Sequence, residues 1–424
     1  MRRSTKSIEP PLRYNYIDQA EDLFVYQAGG YHPVAIGDRI HNQRYRVVHK
    51  LGHGAYSTVW LARDQNSGQL VAIKIELASS ASNEVATLLA VQADSEGNGR
   101  GIPAVLDHFE ITGPNGTHSC YVMVPAMCSL SGAKDAGKER VFSVDVAHAL
   151  TTQLLQAVAC IHQRGFVHGD IHLRNVLLQL PESFSHLSDQ ELYAEYGEPV
   201  LEAVTRSDGD HSPLPPNVPA QVVMPLWLAR PSEGLSVNEA KLLLSDFGEA
   251  FAPSQERRLS HNAPAASRPP ESRFAPEQPV SFAADIWMLA CTIWQICGQK
   301  PLFEGAFATD DSMTRQQVEA LGKLPASWWL KWETRDQFYT EDGTALSSYP
   351  RRTLSMRIQQ HMVKPRAGRN MKCFDDDELQ ALEALLRAML AFLPEDRPTI
   401  TEVLESDLVK RWAPGRSDVH SRAL

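Results

Sequence analysis

The chain has 424 residues, 43% of them hydrophobic, and a formal net charge of −10, enough for two or three packed units or one large two-lobed domain. The acidic balance argues against a general nucleic-acid or anionic-membrane binder and suits a basic protein partner. Six cysteines, at 120, 128, 160, 291, 297 and 373, form no C-x-x-C pair and no zinc spacing, so a reducing compartment, cytoplasmic and/or nuclear, is expected. The basic start Met1-Arg-Arg-Ser-Thr-Lys6 runs into Glu9-Pro-Pro11 without an apolar core and is not a secretory signal. The most apolar long stretch, residues 282–297, contains Asp285 and falls short of the roughly 20 apolar residues of a membrane span. A soluble protein is expected.

Residues 1–44 are polar and turn-rich, punctuated by Gly29-Gly-Tyr-His-Pro33 and Gly37-Asp38, and read as a lead-in rather than a domain. From Tyr45 the alternation of apolar and polar residues predicts three strands, over 45–51, 57–62 and 70–75. The turn between the first two, Leu51-Gly-His-Gly-Ala-Tyr-Ser-Thr-Val59, has glycines at 52 and 54 that let backbone N–H groups approach phosphate oxygens. A tight β-turn with no ligand is the plainer reading of a G-x-G hairpin. Its combination with Lys74 in Val71-Ala-Ile-Lys74 is less common. A helix starting near Ser82 carries Glu84, an acid placed to pair with Lys74. A further strand, Tyr121-Val-Met-Val124, breaks into a linker at Pro125-Ala-Met127. Residues 131–140 read as a polar loop. Val146, Leu150, Leu154, Val158 and Ile161 then mark an amphipathic helix, capped by Ser143 and stopped at Gly165.

That helix delivers the chain to His168-Gly-Asp-Ile-His-Leu-Arg-Asn-Val-Leu-Leu178. Phosphoryl transfer needs an Asp to accept the proton of an attacking hydroxyl and an Asn to hold a metal ion, and Asp170 and Asn175 have that spacing. A solvated loop carries such residues about as often, so the flanking segments decide. Leu242-Leu-Leu-Ser-Asp-Phe-Gly248 puts Asp246 after an apolar strand, where it can chelate Mg²⁺; a simple strand end and turn is the alternative. Phe274-Ala-Pro-Glu277 precedes the apolar helix with its buried-looking Asp285, and Glu277 with Arg397 is the candidate structural ion pair. An insertion at 180–240, with eight prolines and two short apolar runs, is expected to pack irregularly along the larger part of the molecule.

In this order, Gly52 and Gly54, Lys74, Glu84, Asp170 with Asn175, Asp246-Phe-Gly248, Ala275-Pro-Glu277 and Arg397 resemble the motifs of eukaryotic protein kinases. The resemblance implies an α+β, two-lobed kinase fold, with a small antiparallel β lobe carrying one key helix and a larger, mainly helical lobe. Its expected divisions are a lead-in at 1–44, the small nucleotide-binding lobe at 45–127, the large lobe at 128–412 with the 180–240 insertion, and a tail at 413–424. It further implies ATP and Mg²⁺ as cofactors and Asp170 as the catalytic base. Lys74 would be the α/β-phosphate contact, Glu84 its partner, and Asn175 and Asp246 the metal ligands. Leu51, Val59, Ala72 and Leu177 would enclose the adenine, which would hydrogen-bond to the backbone of the linker Val124, Ala126 and Met127.

Within that superfamily the chain looks like a fungal-type SR-protein kinase, a class acting on serines in Arg/Ser-rich proteins. The similarity lies in Gly29-Gly-Tyr-His-Pro-Val-Ala-Ile-Gly-Asp38, the glycine loop, Leu321-Gly-Lys-Leu-Pro325 and the insertion. It implies an Arg/Ser-rich protein substrate such as a splicing factor and a monomer, with no direct nucleic-acid or membrane partner. The docking acids of that class would fall at Glu319 and Ser312, with Asp310 and Asp311 beside the latter. Three departures carry expectations. Ser57 stands in place of a third glycine. Gly169 replaces the arginine that normally meets an activation-loop phosphate, which predicts activity without such phosphorylation. His172 replaces a lysine that neutralises the transferring group, and an imidazole is fully charged only below about pH 6.5; a role limited to hydrogen bonding is the other reading. Two alternatives stay open: a pseudokinase or scaffold that binds nucleotide or partners without transfer, and a small-molecule phosphotransferase, whose H-G-D loop is similar. The latter lacks the A-P-E segment and its arginine.

Overall fold

Alternating apolar side chains build one sheet at the start of the chain. In the computed structural model, which describes residues 14–92, 101–210, 212–306, 308–346 and 352–412, its strands are β1 (Arg39–Ile40), β2 (Tyr45–His53), β3 (Ser57–Asp64), β4 (Leu70–Glu76), β5 (Asp107–Gly113) and β6 (Gly116–Met123), with helix α1 (Glu84–Gln92) between β4 and β5. The first thirteen residues of the expected lead-in and the expected tail at 413–424 lie outside the described residues. The strands pair antiparallel in the order β1-β2-β3-β4-β6-β5. Val47, Trp60, Ile73, Ile75 and Val122 fill one face of the sheet and are all but inaccessible.

There follow β7 (Ala126–Ser129), α2 (Leu130–Ala136), α3 (Val144–Gln163), β8 (Val176–Gln179), α4 (Asp189–Tyr196), β9 (Leu201–Ala203), β10 (Gln221–Val223), β11 (Leu242–Leu244) and α5 (Glu271–Phe274). The chain ends in α6 (Phe282–Cys297), α7 (Asp310–Leu321), α8 (Ala326–Lys331), α9 (Leu354–Ile358), α10 (Lys364–Ala367), α11 (Asp376–Met389), α12 (Ile400–Glu405) and α13 (Asp407–Trp412). The stretch read as a polar loop at 131–140 opens with a helix, α2, because the Ser129 side chain accepts from Gly132 N and caps it.

The chain divides into two compact units, one made of Met1–Ala81, Val105–Pro125 and Pro181–Leu228, the other of Ser82–Ala104, Ala126–Leu180 and Ala229–Leu424. Two placements differ from the expected divisions. Helix α1 belongs to the second unit although the strands flanking it belong to the first. The insertion, expected along the large lobe, packs in the first unit from Pro181 to Leu228, and Leu180 and 229–240 stay with the second. Ion pairs and buried rings draw it there. Asp189 pairs with Arg46 and accepts from Arg63 Nε at 3.0 Å, and the Tyr193 hydroxyl donates to Val48 O at 3.0 Å. Leu226 N donates to Lys50 O at 2.8 Å. Val204, Val218 and Val222 share a buried cluster with Tyr14, Leu23, Tyr26 and Tyr31 of the lead-in.

In the second unit, α3 begins after Ser143, whose side chain accepts from Val146 N, and buries Leu150, Leu154, Val158 and Ile161 completely. By length and composition alone α3 could cross a membrane, but it packs against α6, α12 and β11 as a core helix. α6 spans Phe282–Cys297, and its Asp285 is fully buried. Strands β7, β8 and β11 form a three-stranded sheet in the order β11-β8-β7.

Candidate active site

The first unit holds the glycine loop and Lys74. Neither Gly52 nor Gly54 has a positive φ, and a Cβ built on either would meet nothing within 4 Å. Neither turn geometry nor packing among the described residues therefore requires glycine at these positions. The loop tip is fixed from within, with Gly54 N donating to Ser57 O at 2.9 Å and the Tyr31 hydroxyl donating to Gly54 O at 2.6 Å. Val59 pairs with Lys74 across β3 and β4, and Ala72 pairs with Met123 across β4 and β6. Lys74 also pairs with Tyr121, its Nζ lying 5.9 Å from the ring centre. Leu51 and Val59 are half-buried, Ala72 is buried, and Val124 is 51% exposed.

The second unit holds the acids. Asn175 Nδ2 donates to both Asp170 O and Asp170 Oδ2 at 3.0 Å, so the amide braces the carboxylate and leaves Asn175 Oδ1 as the oxygen for a cation. Asp170 Oδ1 is buried without a hydrogen bond. His172 Nε2 is 3.3 Å from it, close enough for an ion pair but not aligned as a hydrogen bond. Arg174 N donates to His172 Nδ1 at 3.3 Å, which assigns the proton to Nε2, the nitrogen on the Asp170 side.

One buried carboxylate organises this loop. Asp285 accepts from His168 N at 2.8 Å, Gly169 N at 2.9 Å and His162 Nε2 at 2.9 Å. Burial by itself would raise its pKa; the His162 hydrogen bond, the histidine charges and the Gly169 amide together outweigh that and hold it below the ordinary value. Gly169 has φ +80°, and a Cβ there would meet Glu249 O at 3.0 Å, so the loop takes a left-handed step that an arginine would strain. Burial lowers the pKa of His168. Its Nδ1 accepts from Asp170 N at 3.3 Å and its Nε2 lies 3.2 Å from Ser245 O.

The imidazole of His168 meets the buried ring of Phe247 edge-on at 4.9 Å. Phe247 N donates to Glu84 Oε1 at 3.0 Å, so the α1 acid is tied to the Asp246-Phe-Gly248 turn. Asp246 has φ +65°, an uncommon conformation that costs on the order of 1 kcal/mol or more and that clusters at functional sites. Leu177 on β8 is half-buried, as are Ala126 and Met127 on β7. Among the described residues no three His, Cys, Asp or Glu side chains form a metal-binding group. The donors present, one carboxylate and one amide oxygen, fit Mg²⁺, which keeps waters and phosphate oxygens in its shell.

One expected ion contact is corrected. Arg397 pairs with Glu271, not Glu277: its Nη1 and Nη2 donate to the two Glu271 carboxylate oxygens at 2.8 and 2.6 Å, whereas Glu277 is exposed. The Arg397 side chain is wholly inaccessible, and a buried guanidinium takes the carboxylate beside it. The signal lay in Pro269-Pro-Glu271, a second Pro-Glu pair six residues upstream of the first. Of the expected docking positions, Asp310 is exposed, whereas Glu319 and Asp311 have partners within the chain. Glu319 is 8% exposed and paired with Arg357 at 3.3 Å and Arg315 at 3.4 Å. Asp311 binds Arg273 at 2.6 Å and accepts from Trp332 Nε1 at 3.0 Å.

Residues 45–209 match the family described as protein kinase domain. A serine/threonine protein kinase of Aspergillus fumigatus is 26% identical over 402 residues, covering 91% of this chain and 89% of that one. The serine/threonine-protein kinase SRPK of Physarum polycephalum is 27% identical over 404 residues, covering 90% and 89%. Protein kinase dsk1 of Schizosaccharomyces pombe is 34% identical over 169 residues, covering 38% of this chain and 30% of that one. The crystal structure of a kinase domain superposes with a TM-score of 0.59 at 16% identity, covering 89% of this chain and 98% of the other.

Proposed function

We propose that the chain is a serine/threonine protein kinase, a reading supported by its similarity to the protein kinase domain and to serine/threonine kinases, and that it transfers the γ-phosphoryl group of ATP to serine hydroxyls in Arg/Ser-rich proteins such as splicing factors. The observation that carries the reaction is the Asp170 carboxylate, braced by Asn175 through Oδ2 and left with a buried, unbonded Oδ1. A buried acceptor without a donor is costly; an incoming hydroxyl supplies that donor. The serine oxygen attacks the γ-phosphorus, the bond to the β,γ-bridging oxygen breaks, ADP leaves, and the serine proton passes to Asp170. His172 Nε2–H is on the side of the same oxygen, where it steadies the carboxylate. Lys74 would contact the α and β phosphates, and Leu51, Val59 and Ala72 of the same unit would be apolar contacts of the adenine. Asn175 and Asp246 would hold Mg²⁺, which screens phosphate charge when bound.

The Arg/Ser preference is supported by the similarity to kinases named SRPK and dsk1 and by the net charge of −10. Glu319 and Asp311 are paired within the chain, which leaves the exposed Asp310 beside them as the docking acid for arginine. Incubation with Mg-ATP and either an Arg-Ser peptide or a generic basic protein, beside Asp170→Ala and Lys74→Met, tests the proposal. Phosphate on the peptide, lost in both variants, is expected. Nucleotide binding without any transfer would instead favour a scaffold.

A further inference from the structure

The lead-in reaches the nucleotide loop through one buried side chain. Tyr31 is 2% exposed, and its hydroxyl donates to Gly54 O at 2.6 Å. The segment that carries it is held at both ends. Gly29 N donates to Asn115 O at 2.7 Å, Ser79 N to Gly29 O at 2.8 Å and Ala78 N to Gly30 O at 3.1 Å. A Cβ on Gly30 would lie 1.6 Å from Val25 O, so only glycine lets the chain double back here. Asn115 Nδ2 donates to Tyr31 O at 2.7 Å and to Asn217 O of the insertion at 2.9 Å. Asn217 in turn donates to Tyr26 O at 2.7 Å. Lead-in, insertion and the β5–β6 turn thus fix one tyrosine. Burial, and then the nearby Glu21 and Asp22 charges, push its pKa up to about 12, so it stays a donor throughout the working range.

The consequence follows from peptide planarity. In a trans peptide the C=O and the next N–H point in opposite directions, so holding the Gly54 carbonyl toward Tyr31 turns the Ala55 N–H away from it. We propose that Tyr31 is a positioning residue for the kinase reaction, orienting the Gly54–Ala55 peptide so that the Ala55 amide is presented to a nucleotide phosphate. The inference rests on the kinase reading of the glycine loop and adds to it a residue outside that loop.

Tyr31→Phe removes the hydroxyl and keeps the ring. Binding of Mg-ATP and of adenosine is measured by titration, with kcat and KM on an Arg-Ser peptide. Loss of one hydrogen bond is expected to weaken ATP binding and raise its KM by about 2- to 12-fold, with kcat within about twofold and adenosine binding unchanged, because adenosine has no phosphate. Tyr45→Phe, which removes a hydroxyl bonded to Asp107 at 2.7 Å in the same sheet, serves as the structural control and is expected to move stability without separating ATP from adenosine. Equal weakening of both ligands by Tyr31→Phe, the same ATP-selective loss in Tyr45→Phe, or no change in ATP binding would overturn the proposal while leaving the kinase assignment intact. Wild-type protein that neither binds ATP nor transfers phosphate would overturn the assignment itself.

Discussion

Gly169 shows how one residue sets a loop's conformation. Its φ of +80° and the 3.0 Å approach to Glu249 O exclude a side chain without strain, so Gly169→Ala is expected to destabilise the protein by about 1–2 kcal/mol in denaturant unfolding. With no arginine there to meet an activation-loop phosphate, phosphatase-treated protein should keep its turnover; a large loss on treatment would contradict this. His172 makes a second prediction. Its Nε2 lies 3.3 Å from Asp170 Oδ1, so on the proposed reaction the fixed charge introduced by His172→Lys should alter the profile of turnover between pH 5.5 and 8.5. Superimposable curves would reduce His172 to a hydrogen-bonding role. The identities of these residues were legible because each departs from a motif whose neighbours are intact. The partner of His172 was not, since a distance to Asp170 depends on how the loop closes.

At the scale of elements, Asp285 on α6 carries the loop between α3 and β8 through two backbone amides and an imidazole. Its pKa is lowered in the folded state. The unfolded chain therefore binds the proton first as pH falls; the stabilisation is fully present above the ordinary carboxylate value of 3.8 and is lost as pH drops through the lower folded value. Asp285→Asn should be less stable at pH 6 and show a shallower acid limb in pH-dependent unfolding. Arg397→Met, which strands Glu271 as a partly buried charge, is expected to cost about 3–5 kcal/mol. Helices α3 and α6 could be read directly, because a 3.6-residue spacing and the Ser143 cap are local signals. The Arg397 partner could not, since two Pro-Glu pairs satisfy the same pattern and only burial separates them.

On the scale of the whole molecule, the insertion was the least legible part. Its place is set by contacts more than 120 residues apart in sequence, such as Arg63 with Asp189, and prolines concealed α4, β9 and β10. Because Val223 sits in the same buried cluster as Val47 and Trp60, replacing 181–228 by a short linker should expose the first unit's core and yield aggregated or unfolded protein in circular dichroism and size-exclusion measurements. Soluble, active protein after that deletion would show the insertion to be dispensable.

The same arrangement constrains how the protein is born. The first unit draws on three separated stretches ending at Leu228, so a ribosome working at roughly 5–20 residues per second must release more than half of the 424 residues before that unit can close. Its sheet waits during that interval with valine and tryptophan uncovered, which makes nascent chains halted between residues 125 and 228 the ones most in need of a chaperone.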